Sequence, residues 1–181
     1  RLQLYADDGG LFDGKSRKPQ YIIECYPLEE HIYQLNEAGL VMGIAEGLAK
    51  ANDSIANYKT TNALVYALAA QQAKENKWND ALILNNTGNI IETTIANIFW
   101  IKDNVIYTPP LSEGCISGVM RRYIMEHTEV VEQLLMPEVL KHADGIFISN
   151  AIRRIKWVAA IGDYTYSKNA VVAFANSMKW Q

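Results

Sequence analysis

The chain has 181 residues, a formal net charge of -3, 49% hydrophobic residues and 20% charged residues. That profile fits one globular domain, or one domain with part of another, and excludes a strongly basic nucleic-acid surface or a polybasic membrane patch. The two cysteines, Cys25 and Cys115, and the three histidines, His31, His127 and His142, lack metal-ligand spacing, so the reading is a reducing, cytoplasmic setting with neither a disulfide framework nor a metal site.

No apolar run is long enough to span a bilayer as a helix, and no signal-peptide pattern is legible. The chain begins at Arg1 and not at Met, and the expectation is a piece of a longer protein. Residues 1–28 read as a strand, the Gly-rich loop DDGGLFDGKSRKP and the strand QYIIECY, Gln20–Tyr26. Pro27 ends that strand, which places a domain boundary near Leu28 and gives two parts, 1–28 and 29–181.

Beyond the boundary, a helical turn is expected at Leu28–Leu35 and a short buried strand at Gly39–Ala45. Ser54–Lys59 is a polar connection. A helix is expected from Thr60, as N-cap, to Asn76, with Leu64, Ala67, Leu68 and Gln71 on one face and Lys59 at its mouth. Strands follow at Asp80–Asn85, Ile90–Lys102 and Val105–Thr108, separated by turns at Asn86–Asn89 and Lys102–Asn104. Ser117–Thr128 reads as a helix with Met120, Tyr123 and Ile124 inward. Val130–Leu135 reads as a strand, Met136–His142 as a short helix with Pro137 in its first turn, and Gly145–Ser149 and Ile155–Ile161 as strands. A last helix spans Asn169–Trp180, with Val172, Ala175 and Asn176 repeating at helical spacing. Hairpin-joined strands interrupted by helices predict an α+β fold or a closed, barrel-like sheet over a doubly wound parallel one.

Four constellations carry chemistry. Lys59 is one: an amine that bonds carbonyls once burial or neighbours favour its neutral form. With it comes Glu92, an acid in an apolar, β-branched strand, of the kind that keeps a pyridine nitrogen protonated. Their bland alternatives are a solvated lysine and a glutamate on the wet face of an edge strand. Ser117-Gly118-Val119-Met120 opens a helix with free N–H groups, a default anion site. Ser149-Asn150-Ala151 ends a buried strand, where a polar pair reaches a phosphate or merely makes a turn. Arg121, Arg122, Arg153 and Arg154 are read as surface charge before anion binders. A lysine, an acid and two anion-binding corners are the parts of a pyridoxal phosphate site.

These residues resemble the class IV aminotransferase family, the fold-type IV pyridoxal phosphate enzymes, over about Gln20–Tyr166. The resemblance rests on Glu92-Thr93-Thr94-Ile95-Ala96-Asn97-Ile98-Phe99, then Tyr107-Thr108-Pro109 and Ser117-Gly118-Val119-Met120-Arg121. It implies pyridoxal 5'-phosphate as cofactor. Lys59, in NYKTTN, matches the lysine that bonds the cofactor and moves the proton, and Glu92 matches the acid at the pyridine nitrogen. Val119 and Met120 match the backbone pair on the phosphate, with Ser117 and Gly118 leading into it. Ile116 matches the aliphatic residue under the ring, Asn150 a polar residue near the phosphate, and Asn97 a structural support for its strand. On this reading the partner of Glu92 is a ring nitrogen and not a side chain, so its burial is offset only when cofactor is bound.

The branch most similar in look is aminodeoxychorismate lyase, through Ala96–Trp100, Asn104–Pro109 and Ser149-Asn150-Ala151. Leu64 stands where branched-chain aminotransferases carry a Tyr. The resemblance also implies a homodimer acting on a small amino substrate, with branched-chain or D-amino acid transamination as the alternative activity and a non-catalytic cofactor-binding homologue as the other. Family members carry a small N-terminal domain of roughly a hundred residues, which supplies a phosphate-binding arginine and substrate contacts. Residues 1–28 match only its last strands. The sequence Ile-Arg-Arg-Ile-Lys-Trp after Ala151 replaces the family's apolar, Pro-containing stretch, so a different substrate mouth is expected.

Overall fold

The computed structural model describes residues 1–7, 9, 18–29 and 31–178. The chain divides into two compact units, 1–32 and 33–181. The first holds an antiparallel pair, β1 (Leu2–Tyr5) and β2 (Gln20–Ile23), in register from Leu2↔Ile23 to Tyr5↔Gln20. Most of the Gly-rich loop between them lies outside the described residues.

The second unit is organised by β3 (Leu40–Lys50), β4 (Asp80–Asn85), β5 (Ile90–Thr93), β6 (Asn97–Lys102), β7 (Val105–Thr108), β8 (Val130–Glu132), β9 (Gly145–Asn150), β10 (Arg154–Ile161) and β11 (Tyr164–Thr165). Pairing runs β11-β10-β3-β4-β5-β6-β7-β8, and β9 pairs with both β10 and β6. That last pairing closes a ring of six strands, β10-β3-β4-β5-β6-β9, with β11 and the β7-β8 pair as extensions. The expected α+β, barrel-like architecture is therefore what the chain adopts. Closure removes the edges that these apolar strands would otherwise expose.

Alternation along the strands explains the three apolar clusters. Ile98 and Trp100 of β6, Ile146 and Ile148 of β9, and Leu82 of β4 turn to one cluster with Met42 and Val158. Phe99 and Ile101 of β6 and Phe147 of β9 turn the other way, onto Ile124, Val171 and Phe174. Phe147 stacks on Phe99 at 4.8 Å and on Phe174 at 4.9 Å. Ala81 and Ile83 of β4 meet Ala69 and Ala73 of α1 (Leu64–Glu75) in the third cluster, which also contains Cys115.

Several expectations are corrected. Leu28–Leu35 forms a turn and not a helix among its described residues. β3 continues past Ala45 to Lys50, because a bulge around Gly47 (φ +67°) sets four residues of β3 against one of β4 and re-aims the strand's end. Helix α1 begins at Leu64 and not Thr60, its N-cap position is Ala63, and its buried face is Ala69 and Ala73. Small alanines let the helix lie close on the sheet, while Leu64 and Leu68 stay exposed. The single strand expected over Ile90–Lys102 is two antiparallel strands. Thr93 Oγ1 accepts the Ala96 N–H at 3.0 Å, and Thr94 donates its hydroxyl to Asp80 Oδ1 at 2.5 Å, which folds Thr94–Ala96 into a tight turn. β8 stops at Glu132, and Pro137–His142 is 3₁₀ helix. Helix α3 (Lys168–Ser177) is capped by Ser167 and buries Val171 and Phe174, one residue round from the expected face; the end of the helix predicted to Trp180 lies outside the described residues.

Candidate functional site

Glu92 sits on β5, flanked on both sides by hydrogen-bonded strands, opposite Ile83 of β4 and Asn97 of β6. It is 2% exposed, so the wet edge-strand alternative is excluded. A carboxylate so placed requires donors. The structure supplies three from this chain. Lys50, at the end of β3, reaches Oε1 at 2.7 Å, and the Tyr66 hydroxyl of α1 donates to the same oxygen at 2.7 Å. The Ile116 backbone N–H donates to Oε2 at 2.9 Å. The expectation that Glu92 lacks a side-chain partner without cofactor is thus corrected. Local pattern ends β3 at Ala45, five residues short of Lys50, so it gives Lys50 no place at the site. Tyr66 falls six residues into the helix expected from Thr60, and its only sequence signal is an aromatic hydroxyl.

Burial, the Glu92 charge and the hydrogen bond to it together hold the Tyr66 phenol well above the ordinary tyrosine range, so it stays a donor. Lys50 also donates to the Ala56 carbonyl at 2.9 Å and lies 5.4 Å from the Tyr66 ring centroid.

Lys50 and Tyr66 form part of the wall of a cleft of about 210 Å³, with Tyr58, Lys59, Thr94 and Ile116. Glu92 lies behind this wall. Lys59 stands in the loop four residues ahead of Ala63, not at the mouth of the helix, and is exposed to the cleft. Among the described residues nothing is hydrogen-bonded to its ammonium.

Ile116–Gly118 leads into α2 (Val119–His127), whose N-cap is Gly118 without a side-chain cap. Ser117 donates its N–H to Asn57 O at 2.9 Å and Gly118 to Ile116 O at 2.8 Å, so these two are committed within the chain. Val119 and Met120 keep first-turn N–H groups with no acceptor in the helix. Asn97 does more than support its strand: its Nδ2 donates to Ile116 O at 2.8 Å and holds this loop down. Asn57 ties the Lys59 loop to the same segment through Leu111 O at 2.8 Å and Cys115 O at 2.7 Å. Asn150 makes turn bonds, accepting from Ile152 N at 3.0 Å and Arg153 N at 2.8 Å. Of the nominated residues, Lys59 and Ile116 line the cleft and Glu92 backs it, whereas Ser117, Gly118, Val119, Met120 and Asn150 are not part of its described wall. Arg121 is no surface charge: it is 4% exposed, ion-paired with Glu132 and bonded to Pro109 O at 3.1 Å. Arg122 and Arg153 are exposed.

The family model for class IV amino-transferases matches residues 1–161. The chain belongs to the class IV aminotransferase family. Its members are pyridoxal phosphate-dependent enzymes. Among similar proteins, the aminodeoxychorismate lyase of Vibrio harveyi is 28% identical over 149 residues, which cover 79% of this chain and 55% of that protein. The aminodeoxychorismate lyase of Bacillus subtilis is 24% identical over 177 residues, 94% of this chain and 59% of that protein. The chain therefore spans little more than half the length of these relatives. The branched-chain amino acid aminotransferase structure from Escherichia coli superposes with a TM-score of 0.80 at 23% identity, covering 97% of this chain and 62% of that one, a likeness of fold.

The residues present fit the family's cofactor. A buried carboxylate backs the cleft, an amine that is unbonded among the described residues lines it, and first-turn N–H groups open α2 beside Ile116.

Proposed function

We propose that the protein binds pyridoxal 5'-phosphate in this cleft and acts as an aminodeoxychorismate lyase-like enzyme, converting 4-amino-4-deoxychorismate to 4-aminobenzoate and pyruvate. The observation that carries the reading is Glu92, a buried carboxylate directly behind a cleft whose wall presents Lys59. The cofactor, when bound, supplies an electron sink for the carbanion at the substrate's amine-bearing carbon.

Each role then falls to a residue of this chain. Lys59 Nζ is the point of covalent attachment and moves the proton, as general base and then acid. Glu92 holds a proton on the ring nitrogen. Ile116 supports the ring's face, and the Val119 and Met120 N–H groups, added to the helix dipole of α2, hold the phosphate. Ser117 and Gly118 shape that corner, and Asn150 is assigned to the phosphate end by the same reading. Support for lyase over transferase comes from Leu64, which is exposed and brings no hydroxyl to the cleft, while lyases and branched-chain aminotransferases both stand among the similar proteins. A cytoplasmic homodimer and a small-domain origin for residues 1–28 belong to the same reading.

The test is cofactor loading followed by product analysis. The loaded protein is expected to show a visible absorbance band that Lys59→Ala abolishes, and to release pyruvate with an aromatic amine. Glutamate formed from 2-oxoglutarate instead identifies an amino acid aminotransferase of branched-chain or D-amino acid type. A stable band with neither product identifies a non-catalytic homologue.

A further inference from the structure

Glu92 carries two donors on Oε1, from Lys50 and Tyr66, and one on Oε2, from Ile116. The side chains of Lys50 and Glu92 are 13% and 3% exposed. The pair is thus electrically closed with no ligand present. A ring nitrogen bearing a proton brings a second positive charge to this carboxylate. One buried carboxylate shared by two cations, one of them only partly buried, leaves positive charge unmatched at this spot, an unfavourable arrangement away from bulk water. Tyr66 is neutral and the Ile116 N–H is part of the backbone, so neither needs to leave. Lys50 is the group in conflict. It also has somewhere to go, because it lines the open cleft whereas Glu92 does not, and its second bond is to a single carbonyl, Ala56 O.

We infer that Lys50 is a resident counter-ion, which holds Glu92 in place in the cofactor-free protein and is displaced into the cleft when a protonated pyridine ring arrives. Loading exchanges one cation for another on a preorganised carboxylate. The inference rests on the pyridoxal phosphate reading of the cleft. It adds a positioning residue that acts through Glu92 and sets the cost of loading. The ligand chemistry follows: the site takes a ring that carries its own positive charge and discriminates against an isosteric ring with carbon in place of nitrogen, which gives Lys50 no reason to leave.

The probe is pyridoxine 5'-phosphate, which has the ring nitrogen and phosphate but no aldehyde and so bonds to no lysine. In cofactor-free protein, Lys50→Met is expected to lower the melting temperature by on the order of 10 °C, and Lys50→Arg to restore most of it. Lys50→Met with Glu92→Gln is expected to recover most of the loss as well. The Lys50→Met variant is expected to bind the probe about tenfold more tightly than wild type, since only its unloaded state is penalised. Equal destabilisation of loaded and unloaded protein, or weaker binding by the variant, overturns the inference. Should Lys50→Met fail to fold, wild-type protein answers by lysine acylation read by mass spectrometry. Lys50 is expected to be protected without the probe and severalfold more reactive with it, and unchanged reactivity overturns the inference. If wild type binds no probe, the cofactor reading itself fails, while the stability loss in the cofactor-free variant still reports on the Lys50–Glu92 pair.

Discussion

Gly118→Ala puts the architecture of the anion corner under a defined load. Gly118 has φ −69° and ψ 141°, a conformation open to any residue, so the substitution introduces no backbone strain. A Cβ there would lie 2.1 Å from Asn97 Oδ1. The Asn97 amide cannot turn aside freely, because it is 6% exposed and its Nδ2 is bonded to Ile116 O at 2.8 Å. Breaking that bond so that the buried amide is left without its acceptor costs about 2–3 kcal/mol. Replacing glycine narrows the unfolded ensemble and returns about 0.5 kcal/mol. The net expectation is a loss of about 2 kcal/mol, or a urea midpoint lower by roughly 1 M at the slope usual for this size. The partner variant makes the test specific. With Asn97→Ala present the steric conflict is gone, so the double variant should be little worse than Asn97→Ala alone, a strongly non-additive pair. An unchanged or raised midpoint in Gly118→Ala, or strict additivity in the double variant, would refute the reasoning.

Two further outcomes follow from the same contacts. Tyr66→Phe removes a donor from a charged acceptor while keeping the ring, and should cost about 2 kcal/mol in urea denaturation of cofactor-free protein; a loss under 0.5 kcal/mol would show that Lys50 and Ile116 suffice. Burial raises the Cys115 thiol from 9.0 to about 11. Its protonated form is favoured by folding, so this contribution to stability is fully present below pH 9 and lost as pH rises toward 11. The fall in denaturation midpoint over that window should be shallower in Cys115→Ala, and a native protein at pH 8 should label at exposed Cys25 and not at buried Cys115.

Much of the sheet was legible because its strands are short, β-branched and bounded by turn residues. Asp80–Asn85 and Val105–Thr108 fall where the pattern put them, and the Asp103–Asn104 turn has the positive φ angles that its residue types favour. The failures have a common cause, which is that long-range contacts override local pattern. Nothing near Thr94 announces that Asp80, fourteen positions upstream, will accept from it and fold the chain back. The same holds for β3, whose bulge places Lys50 against Glu92 across forty-two positions. By sequence Arg121 reads as one of a solvated pair, yet it and Arg122 occupy opposite environments because consecutive helix positions point about 100° apart. At the site, the motif nominates the acid and the lysine, while the groups that hold the acid come from strand and helix ends that sequence pattern locates poorly.

The central claim is that Lys59, and not the nearby Lys50, bonds the cofactor in front of Glu92. Protein incubated with pyridoxal 5'-phosphate, reduced with borohydride, digested and analysed by mass spectrometry reads this directly. The phosphopyridoxyl group is predicted on the peptide containing Lys59, at close to one per chain. Its appearance on Lys50, or a spread over surface lysines with Lys59 unmodified, would contradict the account.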